Sequence, residues 1–230
     1  MPTDTFSQRV LAFYETLDKF RWVTPDVAVL SPLNDEKRTE AVRAFYEKFF
    51  SDNDPRVYWL GINPSRVRRT STGVPYTDGF ALETFCGIEN DFDKRRELTS
   101  DFFYRFVEAY GGSAAFYKRH YPGAAFPLSI LRKDKYCNYY DRDLPAEFSE
   151  SVPGLLKQQA EIGSAGVLII IGSGDNARIL GRLNDELKLF NVVHVVEHPR
   201  YIMQYKSADL DSYVAKYVDL AREAEKAAGL

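Results

Sequence analysis

Short apolar runs alternate along the chain with longer segments in which apolar positions recur at helical spacing. The apolar runs, each of which predicts a strand, are residues 57–63, 126–131, 167–171 and 192–196. In the third run four of the five residues are β-branched, which is typical of a strand buried on both faces. The helical segments are residues 6–18, 34–50, 80–88, 94–120, 152–163, 175–189 and 208–228. Gly111 and Gly112 interrupt the fourth of them, and Pro122 to Ala125 are predicted to form a turn.

Strands separated by helices predict an α/β fold with a central four-stranded, mainly parallel sheet and helices on both faces. The 230 residues fit one large domain, and residues 1–50 are predicted to be a helical N-terminal elaboration of it. In such sheets ligands bind beyond the carboxyl ends of the strands. We therefore expect one crevice to be lined by the loops that begin at Asn63, after Leu131, at Gly172 and at His198.

The loop after the first predicted strand, GINPSRVRRTSTGVPY at residues 61–76, contains an Asn-Pro pair, three arginines and a Gly-Val-Pro-Tyr turn. A loop that only reverses the chain needs neither this length nor both prolines and an aromatic tip. The pattern favours a loop that places an amide and a ring around a small flat ligand.

Two further strand ends carry candidate chemistry. Gly172-x-Gly174-x-x-Ala177 joins a strand to a helix, and Glu197 ends the next strand, as in a dinucleotide-binding unit. The same turn also suits a helix N-terminus that binds any anion, including a DNA phosphate. His198 follows directly, and the strand-end rule places it opposite Asn63 across the crevice.

The composition indicates an ordinary globular protein, with 45% hydrophobic and 27% charged residues. Cys86 and Cys137 are isolated in the sequence, which predicts a reducing compartment and no zinc site. The N-terminus lacks the layout of a signal peptide, and no apolar run approaches the about 18 residues that span a bilayer. We expect a cytoplasmic protein that does not contact a membrane.

The net charge of −3 does not indicate a nucleic-acid partner, but the charge is unevenly distributed. Residues 61–142 hold 13 Lys and Arg against 10 Asp and Glu, and the remainder holds 17 against 23. Three basic clusters lie in the first of these regions: Arg66, Arg68 and Arg69; Lys94, Arg95 and Arg96; Arg132, Lys133 and Lys135. A local basic face is enough to bind phosphates, because such contacts are short-ranged at physiological salt.

Four short motifs, in order along the chain, resemble those of the uracil-DNA glycosylase superfamily. They are Gly61-Ile62-Asn63-Pro64, Thr72-Gly73-Val74-Pro75-Tyr76, Asn138 and His198-Pro199. The set is most similar to the single-strand-selective monofunctional (SMUG) branch, in which the interval from the motif Asn to the aromatic ring is also the thirteen residues seen here. The first 50 residues carry no part of the resemblance.

The resemblance implies an enzyme that flips uracil out of DNA and hydrolyses its N-glycosidic bond, leaving an abasic site. It implies catalytic roles for Asn63, which would position a water, and for His198, which would stabilise the departing base. The residues implied to bind the base are Gly61, Ile62, Ser65, Tyr76 and Asn138. Neither a metal nor an organic cofactor is needed for this chemistry.

The sequence departs from the family pattern at three places. Ser65 stands where the family usually has Gly, Tyr76 replaces Phe, and Arg200-Tyr201-Ile202-Met203 replaces Ser-Pro-Arg-Asn after the His-Pro motif. These departures indicate a divergent bacterial type with an altered base range, which includes deaminated or modified bases related to uracil, and with a different wedge into the duplex, for which Tyr201, Ile202 and Met203 are the candidates. The predicted DNA-binding residues are Arg66, Arg68, Arg69, Ser173, Gly174, Arg200, Tyr201, Ile202 and Lys206.

The expected partner is therefore single- and double-stranded DNA that contains uracil, bound by a monomeric monofunctional glycosylase. Two alternatives remain open from the sequence. One is a nucleotide- or dinucleotide-binding oxidoreductase that uses the loop from Gly172 to Gly174, and the other is a catalytically inactive nucleic-acid-binding relative.

Overall fold

The computed structural model describes residues 4–20, 26–31, 33, 35–64 and 69–230. Its helices, α1 to α9 in chain order, are Phe6–Thr16, Glu36–Phe49, Gly79–Thr84, Leu98–Tyr110, Ser113–Arg119, Glu147–Gly163, Asp175–Leu187, Pro199–Tyr205 and Leu210–Ala228. Its strands, β1 to β7, are Val27–Leu30, Arg56–Gly61, His120–Ala124, Ser129–Arg132, Lys135–Cys137, Ser164–Ile171 and Val192–Val196. Ser65, Arg66 and Arg68, for which the sequence predicts roles, lie outside the described residues.

The central sheet has four parallel strands in the order β3-β2-β6-β7, with helices packed against it. All six residues of β2 and the last five of β6 are buried, as the unbroken apolar runs predict. The predicted α/β fold with a four-stranded parallel sheet is confirmed. The strands point the same way, so the loops that follow β2, β3 and β7 leave from one edge of the sheet.

The fourth strand of this sheet is not the one that the sequence predicts. Residues 120–124, expected to be a helix end and a turn, form β3, which pairs with β2 from His120 to Ala124. Pro122 and Gly123 are typical of turns, but β3 lies at the edge of the sheet, where a missing N–H is tolerated. The predicted strand at 126–131 is displaced to Ser129–Arg132 and belongs to another sheet.

This second sheet is antiparallel and has the order β1-β4-β5. Strand β1 lies in the N-terminal region, so this region contributes a strand in addition to the predicted helices. A tight turn at Lys133 and Asp134, both with positive φ (48° and 60°), joins β4 to β5. The turn sends β5 and the residues that follow it back toward the loop after β2.

The core is rich in aromatic side chains, as the 15 Tyr and 16 Phe residues of the sequence suggest. Trp59 of β2 stacks on Tyr217 of α9 with ring centroids 5.8 Å apart, which packs the last helix against the sheet. At the other end of the chain, Phe6 of α1 packs on Tyr121 of β3, with centroids 5.4 Å apart. Nothing among the helices of the described ranges has the length and apolarity to cross a membrane.

Candidate nucleobase-binding site

A cavity of about 420 Å³ opens at the carboxyl ends of the central strands. Its walls come from the loops after β2, β3 and β7 and from β5 with the residue that follows it. Six of the residues predicted to act in catalysis or binding line this one cavity: Ile62, Asn63, Tyr76, Asn138, His198 and Arg200. The structure therefore brings together side chains that are separated by as many as 138 residues in the chain, from 62 to 200.

The carboxamide of Asn63 is held at both ends by the last residue of β5 and the segment that follows it. Its Nδ2 donates to the carbonyl oxygen of Cys137 at 3.0 Å, and its Oδ1 accepts from the backbone N–H of Tyr139 at 3.2 Å. The hydroxyl of Tyr136 donates to the backbone carbonyl of Asn63 at 3.1 Å. The amide orientation is fixed by these contacts, and Oδ1 keeps a second lone pair that can accept a hydrogen bond.

Tyr76 lies in the left-handed region of backbone space, with φ of 57°, which turns its side chain back toward the sheet. Its ring stacks on Phe103 of α4 with centroids 4.9 Å apart and planes 17° apart, and also lines the cavity. Its hydroxyl donates to the carbonyl oxygen of Gly123 at 3.4 Å. Gly61 lies beneath the phenol, where a side chain would overlap the hydroxyl oxygen. Burial raises the pKa of Tyr76, so the phenol stays protonated.

Asn138 lies between Cys137 and Tyr139, the two residues that hold Asn63. Its carboxamide makes no hydrogen bond to any described residue, whereas its backbone is fixed. Its N–H donates to Oδ2 of Asp141 at 2.9 Å, and the N–H of Asp141 donates back to the Asn138 carbonyl at 3.0 Å. The hydroxyl of the neighbouring Tyr139 donates to Asn176 of α7 at 3.0 Å, which anchors the segment to the core. A fixed backbone with an unengaged carboxamide suits a residue that reads a ligand.

His198 is the N-cap residue of α8 and accepts the backbone N–H of Arg200 on Nδ1 at 3.1 Å. Burial and then the nearby charge of Arg200 lower the pKa of His198 to about 4. The ring is therefore neutral at physiological pH, and with Nδ1 accepting, its proton is on Nε2. His198 thus offers the cavity a neutral N–H donor.

The cavity also has a polar wall that the sequence did not reveal. Arg38 of α2 donates from Nε to the carbonyl oxygen of Ser71 at 3.0 Å, which ties α2 to the loop that carries Tyr76. The Asp78 carboxylate accepts the backbone N–H groups of Ala81 and Glu97, both at 2.8 Å. The lining residues that sequence reasoning missed include Tyr14, Leu30, Arg38, Thr70, Ser71, Asp78, Glu97, Ser100 and Tyr136. Thr70 and Ser71 belong to the loop at residues 61–76 that was predicted to surround a ligand, and Asp78 precedes α3 as an N-cap.

The other predicted DNA contacts lie outside the cavity. Arg69, Ser173, Gly174 and Tyr201 are exposed, and Lys206 is partly exposed. Ile202 is 0% exposed, so the prediction that it contacts DNA and fills the gap left by a flipped base is wrong. On the seven-residue helix α8 this side chain faces the core, while that of Tyr201 is 45% exposed.

The dinucleotide alternative finds little support in this geometry. The carboxylate of Glu197, expected to bind a ribose, is bonded by Nζ of Lys216 at 3.0 and 2.9 Å. Gly172 and Gly174 do not line the cavity. As for metals, nowhere in the described ranges do three or more His, Cys, Asp or Glu residues come together as ligands.

The family model of the uracil DNA glycosylase superfamily matches residues 47–222. The fold is similar to that in the crystal structure of wild-type SMUG2 from Pedobacter heparinus, with a TM-score of 0.88 and 32% sequence identity. That similarity covers 96% of this chain and 99% of the SMUG2 chain, so it extends beyond the 47–222 match to the superfamily. No curated protein matches the chain.

Proposed function

Because the chain belongs to the uracil DNA glycosylase superfamily, in its SMUG-like branch, we propose that it excises uracil flipped out of DNA by hydrolysing the N-glycosidic bond. The observation that carries the proposal is the arrangement of Asn63, Asn138 and His198 around one cavity of about 420 Å³. The reaction requires an amide in a fixed orientation, an amide whose side chain is free to bind the base, and a neutral N–H donor. Asn63, Asn138 and His198 supply these groups in that order.

Asn63 orients the attacking water in this proposal. An amide has no useful basicity, so it cannot remove a proton as a carboxylate would. Its Oδ1 accepts one hydrogen bond from Tyr139 and can accept a second from water. Since the amide is already held by Cys137 and Tyr139, the water is positioned without further loss of side-chain entropy.

His198 stabilises the leaving base. As the glycosidic bond breaks, positive charge develops on the sugar and negative charge on uracil. A preorganised neutral donor aimed at uracil O2 is worth a few kcal/mol in a dry pocket. The Nε2–H of His198 supplies this donor, and the backbone N–H of Ile62, which also lines the cavity, assists it.

Asn138 and Tyr76 select the base. The Asn138 carboxamide donates to uracil O4 and accepts from N3–H, whereas cytosine presents the reverse pattern. The ring of Tyr76, backed on one side by Phe103, stacks on the base, a contact worth about 1–3 kcal/mol. Gly61 and Ser65 complete the base-binding loop.

The DNA backbone binds the surface around the cavity. The residues proposed to contact it are Arg66, Arg68 and Arg69 in the loop after β2, Ser173 and Gly174 before α7, and Arg200, Tyr201 and Lys206 on and after α8. Each phosphate contact removed by neutralising an arginine should reduce the salt slope of DNA binding by about one.

The proposal is tested by incubating the protein with a uracil-containing single-stranded oligonucleotide and then treating the DNA with alkali. Strand breaks at uracil, absent from an otherwise identical strand with thymine at that position, are the expected result. DNA binding without breaks would identify a catalytically inactive relative, and NAD binding without breaks would identify a dinucleotide-binding protein. Either result would overturn the proposal.

A further inference from the structure

Tyr136 lines the pocket and contacts Asn63, although the proposed reaction assigns it no role. It lies in the middle of β5, lines the cavity and is 39% exposed. Its hydroxyl donates to the backbone carbonyl of Asn63 at 3.1 Å. Partial burial of the side chain at the cavity wall raises the pKa of Tyr136, so the phenol remains a donor at physiological pH.

The short segment from residue 136 to residue 139 therefore makes three hydrogen bonds to Asn63. Tyr136 holds the Asn63 backbone oxygen, Cys137 accepts from its Nδ2, and the Tyr139 N–H binds its Oδ1. The two side-chain contacts persist only while the segment and the Asn63 backbone keep their relative position, because each depends on the geometry of a hydrogen bond. The Tyr136 contact fixes that relative position directly, because it joins the Tyr136 side chain of β5 to the Asn63 main chain.

We propose that Tyr136 is a positioning residue that sets the orientation of the Asn63 carboxamide by tying the Asn63 backbone to β5. This inference rests on the proposed function, in which Asn63 orients the water. Tyr136 acts through Asn63 and takes no part in bond breaking itself.

The second sheet supports this role. Tyr136 pairs with Leu131 of β4, and Leu131 pairs with Ala28 of β1 on its other side. The segment that holds Asn63 is thus backed by a strand from the N-terminal region, outside the 47–222 match to the superfamily. Rigid support of this kind is what an oriented catalytic group requires, since small displacements of such groups cost large factors in rate.

The first test is Tyr136→Phe, which removes only the hydroxyl. Single-turnover excision of uracil should slow by about three- to tenfold, the loss of one hydrogen bond, while DNA affinity and the free energy of unfolding stay near wild type. Tyr140→Phe is the matched control, because Tyr140 lies in the same segment and its hydroxyl has no partner among the described residues. It should excise at the wild-type rate.

A double-mutant cycle separates positioning from direct contact with DNA. In the Asn63→Ala background, Tyr136→Phe should cause no further loss, because the amide whose orientation it sets is gone. A full loss in that background would overturn the proposal, and so would an unchanged rate for the single variant. A loss explained by weaker DNA binding or lower stability would overturn it as well.

A spectroscopic readout keeps this inference distinct from the proposed function. The side-chain NH₂ signals of Asn63, identified by their absence in Asn63→Ala, should exchange with solvent faster in Tyr136→Phe than in wild type or Tyr140→Phe. Unchanged exchange would show that Tyr136 does not hold the amide. If the wild-type protein excises no uracil, the proposed function fails, whereas this exchange measurement still decides whether Tyr136 orders Asn63.

Discussion

The hydroxyl of Tyr76 occupies the space in which a side chain on residue 61 would begin. A Cβ added to Gly61 would overlap the Tyr76 hydroxyl oxygen and lie 3.3 Å from Cζ. The glycine that ends β2 and the ring predicted to stack on the base are therefore sterically coupled. The phenol in place of the phenylalanine usual at this position makes the glycine more strictly required.

Gly61→Ala should lower the free energy of unfolding by about 1–3 kcal/mol and slow base excision, because the phenol must move out of its place on Phe103. Combining it with Tyr76→Phe should restore much of both, since the overlapping oxygen is removed. Gly181→Ala is the control, because a Cβ there meets no atom within 4 Å. Urea denaturation and single-turnover assays of wild type, Gly61→Ala, Tyr76→Phe, the double variant and the control test the coupling, and additive effects would refute it.

His198 should make stability depend on pH in acid. Its pKa is about 4 in the folded protein against 6.5 as the ordinary value, so between these values the unfolded chain binds the extra proton. The stabilisation is fully present above pH 6.5 and is lost as the pH falls toward 4. His198→Asn keeps a capping acceptor for the Arg200 N–H but does not titrate.

Between about pH 7 and about pH 5, wild type should therefore lose more free energy of unfolding than His198→Asn. His120, whose pKa is also lowered by burial, contributes equally to both proteins and cancels in the comparison. Equal losses in the two proteins would mean that His198 is not held neutral.

Asn138→Asp should disturb base choice more than DNA affinity. A carboxylate cannot donate to uracil O4, so one hydrogen bond is replaced by a repulsion. Excision of uracil should fall, while binding to undamaged DNA should stay within a factor of about three, as expected for a residue that contacts only the flipped base. Comparable losses in both assays would show that Asn138 is structural.

Tyr201 and Ile202 should behave differently although they are neighbours. Ile202→Ala should lower the free energy of unfolding by about 2–5 kcal/mol, because the side chain is 0% exposed. Tyr201→Ala should leave stability nearly unchanged and reduce excision from duplex DNA more than from single strands, since unstacking is costly only in the duplex. If both DNA substrates are affected equally, Tyr201 is not the wedge.

The sequence predicted the parts of the fold that depend on local patterns. β2, β6 and β7 were found from their apolar runs, and the parallel order followed from the helices between them. Strand β3 was missed because Pro122 and Gly123 suggest a turn unless the strand is known to lie at a sheet edge. Strand β1 was missed because its partner in the sheet, β4, is about a hundred residues away, and no local signal reports that pairing.

The residues of the candidate site also fall into those that local sequence patterns predict and those that they do not. Asn63 and His198 follow strands and could be placed by the strand-end rule, whereas Asn138 was identified only through the resemblance to a family. Arg38 and Tyr136 could not be predicted, because each contacts the site from an element that the sequence assigned no role. Ile202 was misassigned because a seven-residue helix gives too short a pattern to show which side faces the core.

The central claim is that Asn63 orients the water that releases uracil. The most direct test is the single-turnover excision rate of Asn63→Ala on uracil-containing single-stranded DNA, with Asn191→Ala, an exposed amide outside the cavity, as the control. We expect the Asn63→Ala rate to fall by about tenfold or more with the fold intact by circular dichroism, and the control to match wild type. A wild-type rate for Asn63→Ala would contradict the account.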